Sequence, residues 1–177
     1  MHHYPPLQGL GKTIQTAIYI NYIASSLGNR GPFLIIAPLS TLLHWKREFD
    51  RWTDLNTVVY SGNADDRSTI RELEFAFKVD RPKNNNQKQN YLARCSQKGS
   101  KIWMVQVVIT TPEYLMTDDS SELEAIDWEV LVVDEAHRLK NHTAKLAIKL
   151  RKEGFRFSNI LCLTGETKFR FVFFFLI

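Results

Sequence analysis

Short apolar runs alternate with helix-like stretches along this chain, and this alternation restricts the possible folds more than any other feature. The apolar runs lie at 33–37, 57–60, 105–110, 130–133 and 160–163. They are continuous rather than alternately apolar and polar, which is typical of parallel strands buried on both faces. Helices are predicted at 12–26, 40–52, 67–78 and 144–152. Strands that alternate with helices predict an α/β fold with a parallel sheet.

Length and composition are those of one globular domain. The chain has 177 residues, of which 44% are hydrophobic and 24% charged, so a disordered chain and a disulfide scaffold are both disfavoured. The two cysteines, Cys95 and Cys162, have no metal-type spacing. We find no basic-then-apolar leader and no apolar run near the roughly 20 residues that span a bilayer, so neither a signal peptide nor a membrane partner is expected.

Charge is distributed unevenly, although the net charge is only +4. Residues 113–129 contain seven acids and no Lys or Arg, whereas residues 83–101 contain five Lys or Arg and no acid. Such a distribution can steer a polyanion to one side of a protein, or it can simply form solvated faces, and both interpretations stay open. Residues 79–101 interrupt the strand–helix pattern and are predicted to form a polar surface loop.

A glycine-rich segment, Gly9-Leu10-Gly11-Lys12-Thr13, opens the first predicted helix. Glycines allow close approach of phosphates to backbone N–H groups, and the helix N-terminus adds a positive end. In such a loop Lys12 reaches the β- and γ-phosphates, and the Thr13 hydroxyl binds Mg²⁺. Pro6 stands where the full pattern has glycine. The alternative interpretation is a glycine-rich turn that only caps a helix.

A second motif follows the apolar run 130–133, where Asp134 and Glu135 end the predicted strand. A strand end is rigid, so it can place Asp134 to hold hydrated Mg²⁺ while Glu135 orients and deprotonates the attacking water. His137 could sense the state of the nucleotide. The alternatives are an ordinary charged turn and a surface histidine.

The two motifs together indicate a P-loop ATPase with ATP and Mg²⁺ as its ligands. A small-molecule kinase or a GTPase is the competing class. A GTPase would require a guanine-reading Asn-Lys-x-Asp motif, which this sequence lacks.

These motifs belong to a longer ordered series, through which the chain resembles the first RecA-like lobe of Swi/Snf-type remodelling ATPases in helicase superfamily two. The matching segments are Gly9–Gln15 (motif I), Leu34–Thr41 with Trp45, Glu48 and Phe49 (motif Ia), Val108–Thr111 with Glu113, Asp134–Asn141 (motif II) and Leu163–Gly165 (start of motif III). The segment Arg138–Asn141 separates the chain from RNA helicases with a similar acidic motif. The stretch Gly31–Ser40 resembles the chromodomain-helicase-DNA-binding group in particular.

The resemblance implies a RecA-like P-loop fold of three layers and a nuclear, ATP-driven translocase that moves on double-stranded DNA and remodels nucleosomes. It implies catalytic roles for Glu135, Lys12 and Asp134, and metal binding by Thr13 and Asp134. It implies nucleotide contacts from Gly9, Leu10, Gly11, Lys12, Thr13, Ile14 and His137. It further implies DNA contacts from Ser40, Thr110 and Thr111, with Lys140 and Asn141 nearby. For Trp45, a place in the core is the stronger expectation than a DNA contact.

The chain departs from the family pattern at both ends. The family has a buried central strand before motif I, whereas this chain has Met1–Leu7 with Pro5 and Pro6, which suit no central strand. We therefore expect that first strand to be missing. The expected organisation is a lead-in at 1–8, an ATP-binding lobe at 9–165 and an unrelated apolar tail at 166–177, and both ends are interpreted as products of exon choice or gene boundary.

The family completes its active site with a second motor lobe that carries arginine fingers, and no such lobe is recognised in this sequence. The resemblance therefore predicts that the isolated chain is an inactive lobe of a larger ATPase. The alternative is a non-catalytic truncated product that binds DNA or a partner weakly, or does not fold stably.

Overall fold

The apolar runs form the strands of one sheet in the computed structural model, which describes residues 11–75, 104–117, 120–135, 146, 148–150, 155–163 and 172–174. The strands are β1 (Phe33–Ile36), β2 (Thr57–Val59), β3 (Val107–Thr110), β4 (Asp127–Val133), β5 (Arg156–Cys162) and β6 (Val172–Phe174). Their order is β2-β3-β1-β4-β5-β6. The first five are mutually parallel, and β6 is antiparallel to β5. The predicted α/β fold with a mainly parallel sheet is confirmed.

The helices alternate with these strands as predicted. They are α1 (Lys12–Ser26), α2 (Leu42–Trp52), α3 (Ala64–Ile70), α4 (Pro112–Leu115) and α5 (Ser121–Glu124), with a 3₁₀ turn at Leu39–Thr41 and a π-helical turn at Arg71–Phe75. Residues 146 and 148–150 are also helical, within the predicted helix 144–152. In the described part of the chain, no helix combines the length and the apolar character that crossing a membrane requires.

The chain divides into two compact units, Met1–Ser61 with Gln106–Ile177, and Gly62–Val105. In the second unit, α3 begins three residues earlier than the predicted helix because Asn63 caps it. The Asn63 side chain accepts a hydrogen bond from the Asp66 amide at 2.8 Å, and the Asp66 carboxylate accepts one from the Asn63 amide at 3.0 Å. This capping box satisfies two backbone donors at the helix start. The predicted loop 79–101 lies outside the described residues.

The sheet is buried on both faces, which is why its central strands are apolar without alternation. All four residues of β1 and of β3 are buried. One face contributes Phe33, Ile35, Val107, Ile109, Val130 and Val132 to a core that also contains residues of α1 and α2. On α2 the buried residues are Leu42, Trp45 and Phe49, spaced as one helical face. Leu34, Ile36, Val108 and Leu131 point to the opposite face and are buried as well, as a three-layer fold requires.

Among the described strands, β6 is the one that the sequence analysis did not predict, and the short helices α4 and α5 were not predicted either. The strand comes from the tail 166–177, which was interpreted as apolar and unrelated to the family. Its register with β5 pairs Cys162 with Val172, Leu161 with Phe173 and Ile160 with Phe174. The expected lead-in 1–8, and with it the prediction of a missing first strand, falls outside the described residues. No strand precedes β1 within the residues that the structure describes.

Candidate functional site

The carboxyl ends of β1, β3 and β4 meet at one edge of the sheet. The Ala37 amide donates to the carbonyl of Thr110 at 2.9 Å, and the Asp134 amide donates to the carbonyl of Ile36 at 2.8 Å. These bonds extend the strand pairing by one residue beyond β1 and β4, so the segments that follow the strands start side by side. In open α/β sheets, ligands bind outside this edge.

The Asp134 carboxylate is held by one N–H donor on each oxygen. Its Oδ2 accepts a hydrogen bond from the Trp45 indole Nε1 at 2.9 Å, and its Oδ1 accepts one from the Glu135 amide at 2.9 Å. Each carboxylate oxygen has about two acceptor positions, so both retain capacity for a further ligand. The carboxylate is therefore oriented without being saturated.

Burial raises the pKa of Asp134 above its ordinary value of 3.8, and this is the largest influence on it. The Trp45 and Glu135 N–H groups lower the pKa, the Glu135 carboxylate raises it, and the Lys12 ammonium lowers it. The charge of Lys12 therefore acts on Asp134, although the two residues are 122 positions apart in the sequence.

Gly11 is the one described residue of the predicted phosphate loop that precedes α1. Its φ is +66°, in the left-handed region that favours glycine. A Cβ atom at Gly11 would meet no other atom within 4 Å, so it is the backbone conformation that favours glycine here. Within the described residues, no side chain caps the start of α1, which is the arrangement of a helix N-terminus that can receive an anion. Lys12, Thr13 and Ile14 are half-buried, and Gly9 and Leu10 lie outside the described residues.

Glu135 also has a left-handed backbone, with φ of +50°. This conformation costs a non-glycine residue about 1–2 kcal/mol, and such residues cluster at active sites. The side chain is half-buried. His137 lies outside the described residues.

The three predicted DNA-contact residues that the structure describes differ in exposure. Ser40 is exposed in the 3₁₀ turn that leads into α2. Thr110 is fully buried, and its hydroxyl donates to the carbonyl of Tyr60 at 2.8 Å. Thr111 is buried as the cap of α4, where its hydroxyl accepts from the Tyr114 amide at 3.2 Å. Lys140 and Asn141 lie outside the described residues.

Two supporting groups of this edge were missed by the sequence analysis. Tyr60 and Tyr114 meet edge to face at 5.2 Å between ring centroids, and the Tyr60 hydroxyl donates to Glu122 at 3.0 Å. This cluster adjoins the Thr110–Thr111 segment.

Trp45 is buried in the core, as expected, but its hydrogen bond to Asp134 was not predicted. A tryptophan on a helix that starts at the same sheet edge as an acidic motif is the signal that could have indicated it.

The residues present suit a magnesium-bound nucleotide. Mg²⁺ is typically held by one or two carboxylates together with phosphates of the substrate, and the oriented Asp134 carboxylate is such a ligand. The described residues contain no group of three or more His, Cys, Asp or Glu that could hold a metal. The Thr13 hydroxyl and phosphate oxygens could serve as further ligands of a cation at Asp134.

Comparison with known proteins identifies the family of the chain. The pattern of the SNF2-related domain family matches residues 8–166. Chromodomain-helicase-DNA-binding protein 9 of Mus musculus is 41% identical over 160 residues, which are 89% of this chain and 5% of that protein. Chromodomain-helicase-DNA-binding protein 7 of Homo sapiens is 44% identical over 138 residues, 78% of this chain and 4% of that protein.

Chromodomain-helicase-DNA-binding protein 8 of Xenopus tropicalis is 39% identical over 146 residues, 81% of this chain and 6% of that protein. The chain thus spans about a twentieth of the length of these relatives. The resemblance stated from the motifs is confirmed, and the chain belongs to the SNF2-related domain family.

Proposed function

We propose that the chain is the ATP-binding lobe of a nuclear, DNA-dependent ATPase that translocates on double-stranded DNA and remodels nucleosomes. The observation that carries the proposal is the Asp134 carboxylate at the carboxyl edge of the sheet, where the Trp45 indole and the Glu135 amide each donate to one of its oxygens. The charge of Lys12, at the start of α1, also acts on this carboxylate. The names of the relatives, which include both helicase and DNA binding, support the wider function. We assign the lobe to residues 9–165.

In this proposal the phosphate loop binds the nucleotide through its backbone and the Lys12 ammonium. Thr13 and Asp134 hold Mg²⁺, which neutralises phosphate charge when it is bound. Glu135 orients the attacking water and accepts its proton. The remaining nucleotide contacts are assigned to Gly9, Leu10, Gly11, Ile14 and His137.

DNA contacts are assigned to Ser40, Thr110, Thr111, Lys140 and Asn141. The exposure of Ser40 supports a direct contact with a DNA phosphate. Because the Thr110 and Thr111 hydroxyls are engaged within the chain, their assigned contribution is to shape the surface that faces the DNA. Phosphate contacts position DNA without reading its sequence, and their charged part weakens with added salt.

Equilibrium binding of a fluorescent ATP analogue tests the nucleotide site. Lys12→Ala removes the ammonium that faces both the phosphates and Asp134, so we expect affinity in the presence of Mg²⁺ to fall at least tenfold, which corresponds to about 1.4 kcal/mol. Lys46→Ala is the matched control, because Lys46 is a lysine of α2 that pairs with Asp50. The control should bind as the original chain does. Equal affinities of the original chain and Lys12→Ala would contradict the proposed site.

A further inference from the structure

We propose that Trp45 is a positioning residue for Asp134, holding the carboxylate in the orientation that receives a magnesium-bound nucleotide. The proposal rests on the proposed function. Trp45 belongs to α2, which follows β1, whereas Asp134 follows β4. Their hydrogen bond, 2.9 Å long, therefore joins two elements that are separated by 89 positions in the chain.

The indole ring of Trp45 is held firmly enough to serve this purpose. Its side chain is fully buried among the core residues of the sheet face covered by α1 and α2. It stacks against Phe49, one helical turn further along, with ring centroids 6.3 Å apart and an interplanar angle of 27°. A ring packed in this way keeps its N–H direction fixed. The orientation of the Asp134 carboxylate therefore depends on the position of α2.

The chemistry of the two partners explains how the hydrogen bond orients the Asp134 carboxylate. An indole has one polar hydrogen, and a buried donor without a partner is costly. Asp134 Oδ2 satisfies this donor, while the Glu135 amide binds the other oxygen. Two donors from different elements, one on each oxygen, fix the plane of the carboxylate and still leave acceptor positions for a cation.

The same helix connects Asp134 to the predicted DNA surface. The 3₁₀ turn Leu39–Thr41, which contains the exposed Ser40, continues directly into α2. Trp45 lies in the first turns of that helix. The start of α2 therefore joins this turn to Trp45 through a short rigid segment, and the Trp45 indole contacts Asp134.

Trp128 offers a matched control for Trp45. Its side chain is 2% exposed, and its indole N–H donates to the carbonyl of Leu123 at 2.8 Å. Replacing either tryptophan by phenylalanine removes one buried indole hydrogen bond and a similar volume. Only Trp45→Phe removes a bond to Asp134.

The test measures binding of a fluorescent ATP analogue as a function of Mg²⁺ concentration. We expect Trp45→Phe to raise the Mg²⁺ midpoint about tenfold, in line with the 10–100-fold effects of residues that orient metal ligands. Nucleotide binding without Mg²⁺ should stay unchanged, and Trp128→Phe should keep the original midpoint. A purely structural role would alter binding with and without Mg²⁺ alike. Equal midpoints for Trp45→Phe and the original chain, or equal shifts for both variants, would overturn the proposal.

A second measurement tests the Trp45–Asp134 hydrogen bond directly, and it requires neither nucleotide nor a tryptophan substitution. In a nitrogen-15 spectrum, Asp134→Asn should shift the Trp45 indole resonance and leave that of Trp128 in place. An unshifted Trp45 resonance would contradict the hydrogen bond itself. If the original chain binds no nucleotide in the presence of Mg²⁺, both the proposed function and the positioning role of Trp45 are wrong. If nucleotide binds but Trp45→Phe does not change the Mg²⁺ midpoint, only the positioning role is wrong.

Discussion

Asp134 gives the chain a pH dependence whose sign follows from its surroundings. Because burial raises the pKa of Asp134 in the folded chain, ionising this carboxylate is less favourable in the folded state than in the unfolded one. The contribution of Asp134 to the free energy of unfolding is therefore most favourable below the unfolded pKa. This contribution is lost as pH rises through the folded pKa. The effect amounts to about 1.4 kcal/mol for each unit by which the folded pKa is raised.

Asp134→Asn isolates this effect, because asparagine does not titrate there. We expect the stability of the original chain, relative to Asp134→Asn, to be greatest below pH 3.8 and to decline as pH rises above that ordinary value. Thermal unfolding at a series of pH values, without Mg²⁺ or nucleotide, provides the measurement. A difference that stays constant with pH, or that grows as pH rises, would show that burial does not dominate at Asp134.

At the residue scale, the sequence indicated the candidate site residues but not the contacts that hold them in place. Lys12 and Asp134 each sit in a local pattern whose chemistry is recognisable, and parallel strands bring such patterns to one edge. The Trp45–Asp134 bond has no local signature, because it depends on how far α2 is displaced along the sheet. The left-handed conformation of Glu135 was likewise not evident, since glutamate rarely adopts it.

At the scale of elements, β6 shows where sequence periodicity is insufficient. The segment 171–177 is apolar and β-prone, but whether it forms a strand depends on the presence of an unpaired edge. The structure supplies that edge on β5, which pairs with β4 on its other side. Strand propensity is local, whereas the choice of partner is a property of the whole sheet.

The N–H groups of successive residues in β5 point alternately to its two edges, and this alternation predicts which amides of β5 face β6. The Leu163 amide donates to the carbonyl of Val133, the last residue of β4, so the amides of Ile160 and Cys162 point to the opposite edge, towards β6. The register pairs them with Phe174 and Val172. These are therefore the positions at which β5 and β6 exchange hydrogen bonds.

Proline substitutions in β6 test this pairing. Val172→Pro removes an amide that faces β5, so we expect hydrogen exchange at Ile160 and Cys162 to accelerate at least tenfold, or about 1.4 kcal/mol. Phe173→Pro is the matched control, because the Phe173 amide faces away from β5 and proline is tolerated at such edge positions. Similar exchange at Ile160 in both variants and the original chain would show that β6 does not protect β5.

At the scale of the whole molecule, the α/β class followed directly from continuous apolar runs separated by helices. The strand order did not, because β2 lies at one side of the sheet while β1 lies between β3 and β4. The order depends on which connections cross the sheet, and local periodicity does not contain that information. The family resemblance predicted a RecA-like lobe with a mainly parallel sheet, and the structure supplied the order of its strands.

The proposed function also predicts how active the 177-residue chain is by itself. It spans 4–6% of the length of three of its relatives, and its family match is the single domain at residues 8–166. In the proposed function, a second motor lobe supplies arginine fingers, which contribute about 10³–10⁵ in rate in comparable NTPases. Phosphate release by the isolated chain should therefore be negligible even when nucleotide is bound.

We expect phosphate release to stay at the background rate when double-stranded DNA is added, because DNA contacts on one lobe do not provide the missing charge. A steady-state phosphate assay on the original chain, with nucleotide binding confirmed in the same sample, makes the measurement. Glu135→Gln, which removes the proposed base, should give the same background rate. DNA-stimulated turnover that Lys12→Ala and Glu135→Gln both abolish would show instead that the residues of this chain complete the active site alone.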